Sequence, residues 1–232
     1  DHPEHPQVIR EMLRLLEFVQ AERPAARVGY YGLPLREYWN QDAAWERAME
    51  ACRPLFEAST ALFPSVYDLY GKAPERDHER YGNVVRKALR YADGKPVLLY
   101  IWRRYHDSTE QWGFRKIPAS EFLGHIRHLL TVEVDGDRPA GVVVWGALYF
   151  YRASAVRATD GRFRYTGADW ERRRRVIAEE RQPGDTPDDV HFRMNVETYQ
   201  MLHEMFQELR EGACRRGAGP HDASVRRFRA AA

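Results

Sequence analysis

Aromatic and charged side chains recur where this sequence predicts strands to end. Tyr30 and Tyr31 sit at the end of Val28-Gly29-Tyr30-Tyr31-Gly32. Tyr67 and Asp68 follow Ala61-Leu62-Phe63-Pro64-Ser65-Val66, and Trp102 to Asp107, with Tyr105 between them, follow Pro96-Val97-Leu98-Leu99-Tyr100-Ile101. Trp145 ends Gly141-Val142-Val143-Val144. Aromatic faces carry π density on which the apolar C–H faces of sugar rings pack, so such a set at one end of a sheet can hold a carbohydrate. Asp107 adds a carboxylate that can accept from a sugar hydroxyl or cap its loop. Any one of these rings could equally be core packing; the full set points to carbohydrate recognition.

Other chemistry finds less support. Ser65 lacks the Gly-x-Ser-x-Gly elbow of an acyl-transfer nucleophile. No glycine-rich run follows a predicted strand, so neither a dinucleotide nor a P-loop phosphate site is expected. Asp1, His2, Glu4 and His5 crowd the start of the chain and are metal-ligand types, but two histidines three positions apart near a terminus define no ligand geometry. No metal and no cofactor are assigned. His191 and His203, twelve positions apart, are surface or packing residues. Cys52 and Cys214, the two cysteines, exclude a disulfide framework and a multi-cysteine metal knuckle. Arg172 to Arg175 follow Trp170-Glu171; with Glu179 and Glu180 nearby they read as a solvated helix face rather than a phosphate grip.

The elements that must position these residues follow from periodicity. Val8, Ile9, Met12, Leu15, Leu16 and Val19 recur at helical spacing and predict a helix over 7–22, stopped by Pro24. Trp45, Met49, Cys52 and Phe56 predict one over 42–57. Further helices are expected over 76–93, with Gly94 at its end, over 118–131, over about 170–181, and over 188–212. The runs 96–102 and 141–146 are apolar without alternation, as strands covered on both faces are. Strand and helix alternate, which is the pattern of a parallel α/β fold.

Composition bounds the rest. The chain has 232 residues, 44% hydrophobic and 12% aromatic, enough for a sizeable core and against disorder. Its net charge of +2 does not mark a nucleic-acid binder. No run approaches the ~18 apolar residues of a membrane span. Four residues are lysine (Lys72, Lys87, Lys95 and Lys116), and the arginine excess reads as a GC-rich genome. A single domain over 1–212 and a mobile basic tail over 213–232 are expected.

Four stretches resemble the hyaluronidase family of glycoside hydrolases, in the same order and at similar spacing. They are Val28 to Gly32; Ser59-Thr60-Ala61-Leu62-Phe63-Pro64-Ser65-Val66-Tyr67; Val84 to Arg90 followed by Lys95-Pro96-Val97; and Ala140-Gly141-Val142-Val143-Val144-Trp145-Gly146. The resemblance covers about residues 4–150 and is that of a divergent, bacterial member. It implies an α/β fold of the distorted β/α, TIM-like barrel type, whose first two or three strands have no counterpart in this chain. It also implies a glycan substrate of the hyaluronan or chondroitin kind, no cofactor, and a secreted or periplasmic location.

The family's reaction is substrate-assisted and retaining. The acetamido oxygen of an N-acetylhexosamine is the nucleophile, a Glu is acid and then base, and an Asp two residues earlier orients the acetamido group. Such a Glu must hold a proton near neutral pH, which requires a raised pKa. The resemblance puts Glu4 at the acid position and Asp1 nearest the partner position. Asp1 stands three residues before Glu4 rather than two, and His2 occupies the expected Asp position. Tyr67 matches a substrate-contacting Tyr and Trp145 an active-site Trp. Tyr105, with Tyr100 and Trp102 as alternatives, matches a further Tyr. Two functions are therefore expected: a glycoside hydrolase, or a related module that binds glycan without cleaving it.

Overall fold

The computed structural model describes residues 5–35, 42–67, 74–106, 111–145 and 167–215. Asp1, His2, Glu4, Asp68 and Asp107 lie outside the described residues. Helix α1 (His5–Glu22) is followed by α2 (Ala43–Ala51), α3 (Arg53–Ala58) and α4 (Pro74–Ala92). Strand β1 (Leu98–Ile101), α5 (Ala119–Leu130), β2 (Gly141–Val144), α6 (Gly167–Glu180) and α7 (Pro187–Arg215) complete the order.

The helices form where periodicity places them, and local chemistry sets their ends. Asp42 caps α2 through Oδ1, which accepts from the Ala44 and Trp45 amides at 2.9 and 3.0 Å. The single helix expected over 42–57 is instead two, broken at Cys52. Pro54, with no N–H, cannot continue the α2 ladder but fits the first turn of a new helix. Helix α4 ends at Asp93 and Gly94, both at positive φ (48° and 76°).

The sheet is parallel and runs in chain order. Leu98 to Ile101 pair in register with Gly141 to Val144. On the other side of β1, single parallel bridges join Leu62 to Val97 and Ser65 to Tyr100, and Tyr31 joins Phe63 beyond. Four extended segments thus lie side by side, with helices in every connection. The segment 61–67 makes bridges rather than a continuous strand because Pro64 has no amide to donate. Its carbonyl still accepts from Tyr100 N at 2.9 Å. Gly29 lets the first segment lie close to the second: a Cβ there would collide with the Ala61 carbonyl oxygen.

The expected closed barrel is not what the described residues form. Their sheet is open, with two strands and two bridged segments. Closing a barrel of this type takes eight strands at a common tilt and shear, and four parallel segments span about half of that circumference.

The main core packs α1, α3, α4 and α5 against the sheet through Leu16, Phe56, Val85, Leu99 and Ile126, with Leu202 and Met205 of α7. The connection after β1 folds back on itself. Arg104 bridges Lys116 antiparallel, and Phe114 N donates to Tyr105 O at 3.0 Å.

Candidate functional site

A second apolar cluster lies at the ends of these segments. It contains Tyr67, Trp102, Phe114, Val176 and Val190, with Tyr100 and Trp145 half-buried against it. Its geometry follows from strand alternation. Side chains two apart share a face, so Tyr100 and Trp102 point the same way, and Trp145 stands one residue beyond β2. Parallel pairing then brings the ends of neighbouring segments together.

The rings form a continuous surface. Tyr67 stacks on Trp145 with centroids 5.7 Å apart and planes at 28°. Trp102 meets Trp145 edge-on at 5.2 Å and Tyr67 at 6.0 Å. Tyr31 continues the row, 6.1 Å from Tyr67 and 4.8 Å from Tyr100. The Tyr31 hydroxyl pairs with the Ser65 hydroxyl at 3.2 Å. Tyr31 is 46% exposed, whereas Tyr67 and Trp102 are 4% and 6% exposed. The row therefore grades from an open end at Tyr31 to a covered end at Trp102.

Five of the aromatic residues singled out in the sequence meet here: Tyr31, Tyr67, Tyr100, Trp102 and Trp145. Two do not. Tyr30 faces the other side of its segment, packs in the main core and donates to the Met12 carbonyl at 2.9 Å; burial raises its pKa. Tyr105 is buried in the main core and its hydroxyl donates to Glu121 Oε1 at 2.7 Å. Of the three alternatives for the further Tyr position, Tyr100 and Trp102 join the cluster and Tyr105 does not. Phe114 was not legible as a member: it comes from the fold-back after β1, at a φ of 71° that no sequence pattern announces.

Charged groups ring the covered end. Arg104 is wholly buried, and both its terminal nitrogens donate to Glu180, at 2.9 and 2.7 Å. Nη1 also donates to the Phe114 carbonyl at 2.7 Å. Arg103 reaches α7, donating to Glu197 Oε2 and Thr198 Oγ1 at 3.3 Å each. Burial pushes the Arg103 guanidinium down, and Glu197 opposes that shift. Lys116 joins the same Glu197 oxygen at 3.1 Å.

Behind Trp102 lies a void of about 10 Å³, no larger than one water, lined by Val66, Ile101, Ile117, Phe122 and His125. His125 Nε2 has no hydrogen-bond partner among the described residues. Its pKa is pushed down to about 3, first by burial and then by His78 and His128, against a backbone hydrogen bond to Val66 that raises it. His78 stacks on His128 at 4.1 Å between α4 and α5. Among the described residues no three His, Cys, Asp or Glu side chains are grouped to hold a metal ion. No helix among them is long and apolar enough to cross a membrane.

No family model matches the chain, and no curated protein sequence does. Solved structures do. The monoclinic crystal structure of bee venom hyaluronidase is 21% identical, with a TM-score of 0.51, over 79% of this chain and 54% of that one. The structure of bee venom hyaluronidase in complex with a hyaluronic acid tetramer is 21% identical, with a TM-score of 0.50, over 78% and 51%. The chain spans about half the length of these structures, and the part it spans has a hyaluronidase-like fold.

Proposed function

We propose that this chain is a glycoside hydrolase-like protein that acts on a glycan containing N-acetylhexosamine, of the hyaluronan or chondroitin kind. The observation that carries this reading is the row Tyr31, Tyr67, Tyr100, Trp102 and Trp145 at the ends of consecutive parallel segments. Each ring lies 4.8–6.1 Å from a neighbour, so the set forms one continuous aromatic surface on which Tyr31, Tyr100 and Trp145 keep accessible area for a sugar face. A protein of similar fold is crystallised with a hyaluronic acid tetramer, which supports the choice of substrate class.

In this reading Glu4 is the acid and then the base, Asp1 orients the acetamido group, and the substrate's acetamido oxygen attacks C1. Tyr67 and Trp145 hold the reacting sugar, and Asp107 accepts from a hydroxyl. Secretion or a periplasmic location, in a bacterium, belongs to the same reading. The spacing of Asp1 and Glu4, three instead of two, favours a second reading: a glycan-binding module that does not turn over.

Incubation with hyaluronan, chondroitin and chitin oligomers, followed by assay of new reducing ends, decides between them. Activity in the wild type that disappears in Glu4→Gln supports the hydrolase. Saturable binding lost in Trp145→Ala, without new reducing ends, supports the module. Neither turnover nor binding overturns both.

A further inference from the structure

Helix α6 presents a difficulty for any ligand of the aromatic row. Tyr67 and Trp102 are nearly inaccessible, and the residues that share their cluster from outside the sheet are Phe114 of the fold-back, Val176 of α6 and Val190 of α7. The two helices are attached very differently. Helix α7 sends Val190, Met194, Thr198, Leu202 and Met205 into the protein. Among the described side chains of α6, Val176 is the one buried apolar group. The other contacts of its described side chains are polar or charged: Glu180 on Arg104, Glu179 facing Arg115 at 3.6 Å, and the Arg172 guanidinium 5.2 Å over the Phe114 ring.

The joint between the helices is well built. Asp185 accepts from the Gln182 amide at 2.7 Å and from Arg193 at 2.6 Å, and Gly184 takes a φ of 87°. Hydrogen bonds and the Arg193 guanidinium hold the Asp185 carboxyl down at about 2. A helix whose described side chains give it one buried valine, a charged latch and a fixed joint at its C-terminal end has the features of an element that opens as a unit while the remainder stays folded.

We propose that α6 is a cover over the aromatic row, latched by Glu180 on Arg104, and that it lifts about the 181–186 joint to admit a glycan. This rests on the glycan-binding reading above and adds to it a closed resting state. The closed state lowers apparent affinity by the fraction of molecules that are open, so a variant that weakens the latch binds more tightly.

The test uses the full chain, as wild type, Glu180→Gln and Val176→Ser. Hydrogen exchange without ligand comes first. Weakening the latch speeds exchange of α6 amides about tenfold or more, leaves those of α4 and α5 unchanged, and increases acrylamide quenching of tryptophan fluorescence. Uniform acceleration across all helices, or unchanged α6 exchange in both variants, overturns the cover whatever the glycan does.

Hyaluronan tetrasaccharide is then added. The cover predicts slower exchange at 65–67 and 100–102, faster exchange in α6, and affinity at least about threefold tighter in both variants. Protection of α6 together with the row makes it a fixed wall and overturns the proposal. If the tetrasaccharide binds no variant while the ligand-free exchange result holds, the glycan reading fails and the cover stands.

Discussion

Arg104 and Glu180, 76 positions apart in sequence, form a two-point ion pair at 2.7 and 2.9 Å in which the arginine is 0% exposed. A guanidinium out of water is tolerated only when its donors are satisfied. Here Glu180 takes two and the Phe114 carbonyl a third. The pair therefore ties the fold-back after β1 to a helix far along the chain.

Replacing Arg104 by Ala removes that pair and leaves the Phe114 carbonyl without its donor. Loss of about 3 kcal/mol is expected, at the low end for breaking a buried pair because Glu180 keeps some access to water. Arg127→Ala, which breaks the exposed pair with Glu208, is expected to cost less than about 1 kcal/mol. Urea unfolding midpoints of the two variants measure the difference directly.

Stability should fall in mild acid through His125. Its ordinary value is 6.5 and its folded value about 3. Between these the unfolded chain binds a proton that the native protein does not. The contribution is therefore complete above about pH 6.5 and is lost as pH falls toward 3, at up to about 1.4 kcal/mol per unit. Urea titrations at pH 7.5, 6 and 5 should give a steeper loss in the wild type than in His125→Phe; equal slopes would refute the assignment.

Gly29→Ala should be destabilising by about 1–3 kcal/mol, because the new methyl group meets the Ala61 carbonyl oxygen and neighbouring backbone must move. Gly124→Ala, where a Cβ meets nothing within 4 Å, serves as the control and should be neutral or slightly stabilising on its helix. Thermal unfolding of both variants checks the contrast.

Removal of the half-buried Trp145 ring should weaken glycan binding about tenfold, since a stacked aromatic face contributes about 0.5–1.5 kcal/mol beyond its area. Tyr105→Phe, in the main core and away from the row, should leave binding unchanged. Calorimetric titration with hyaluronan oligosaccharides on both variants would separate them, and equal losses would mean that the row is packing.

Much of this was legible from residue order. Helical periodicity located α1, α4, α5 and α7, and the apolar runs at 96–102 and 141–146 contain the paired strands. Convergence of Tyr31, Tyr67, Trp102 and Trp145 follows from parallel pairing of strand ends. What failed depends on geometry that local pattern does not carry. Alternation puts Tyr30 on the face opposite Tyr31, which decides between adjacent tyrosines only once the buried side is known. Tyr100 rather than Tyr105 joins the row because the chain turns away after Trp102. Arg174 and Arg175 are exposed, as a solvated face requires, but Glu179 and Glu180 pair across the chain with Arg115 and Arg104, partners some seventy residues away that local pattern does not name.

The two-point pair also has an electrostatic consequence. With α6 seated, the charge of Arg104 is matched by Glu180, while Arg103 and Lys116 share the single carboxylate of Glu197. Lifting the helix carries Glu180 away and leaves an uncompensated guanidinium beside the aromatic rings. Arg115 loses Glu179 in the same movement. Opening would thus add Arg104 and Arg115 to the positive charge that Arg103 and Lys116 already hold on the sheet side of the mouth, so an anionic chain would meet stronger attraction there once the protein had opened. Salt would then weaken capture of the ligand while, by screening the latch, easing the movement that precedes it.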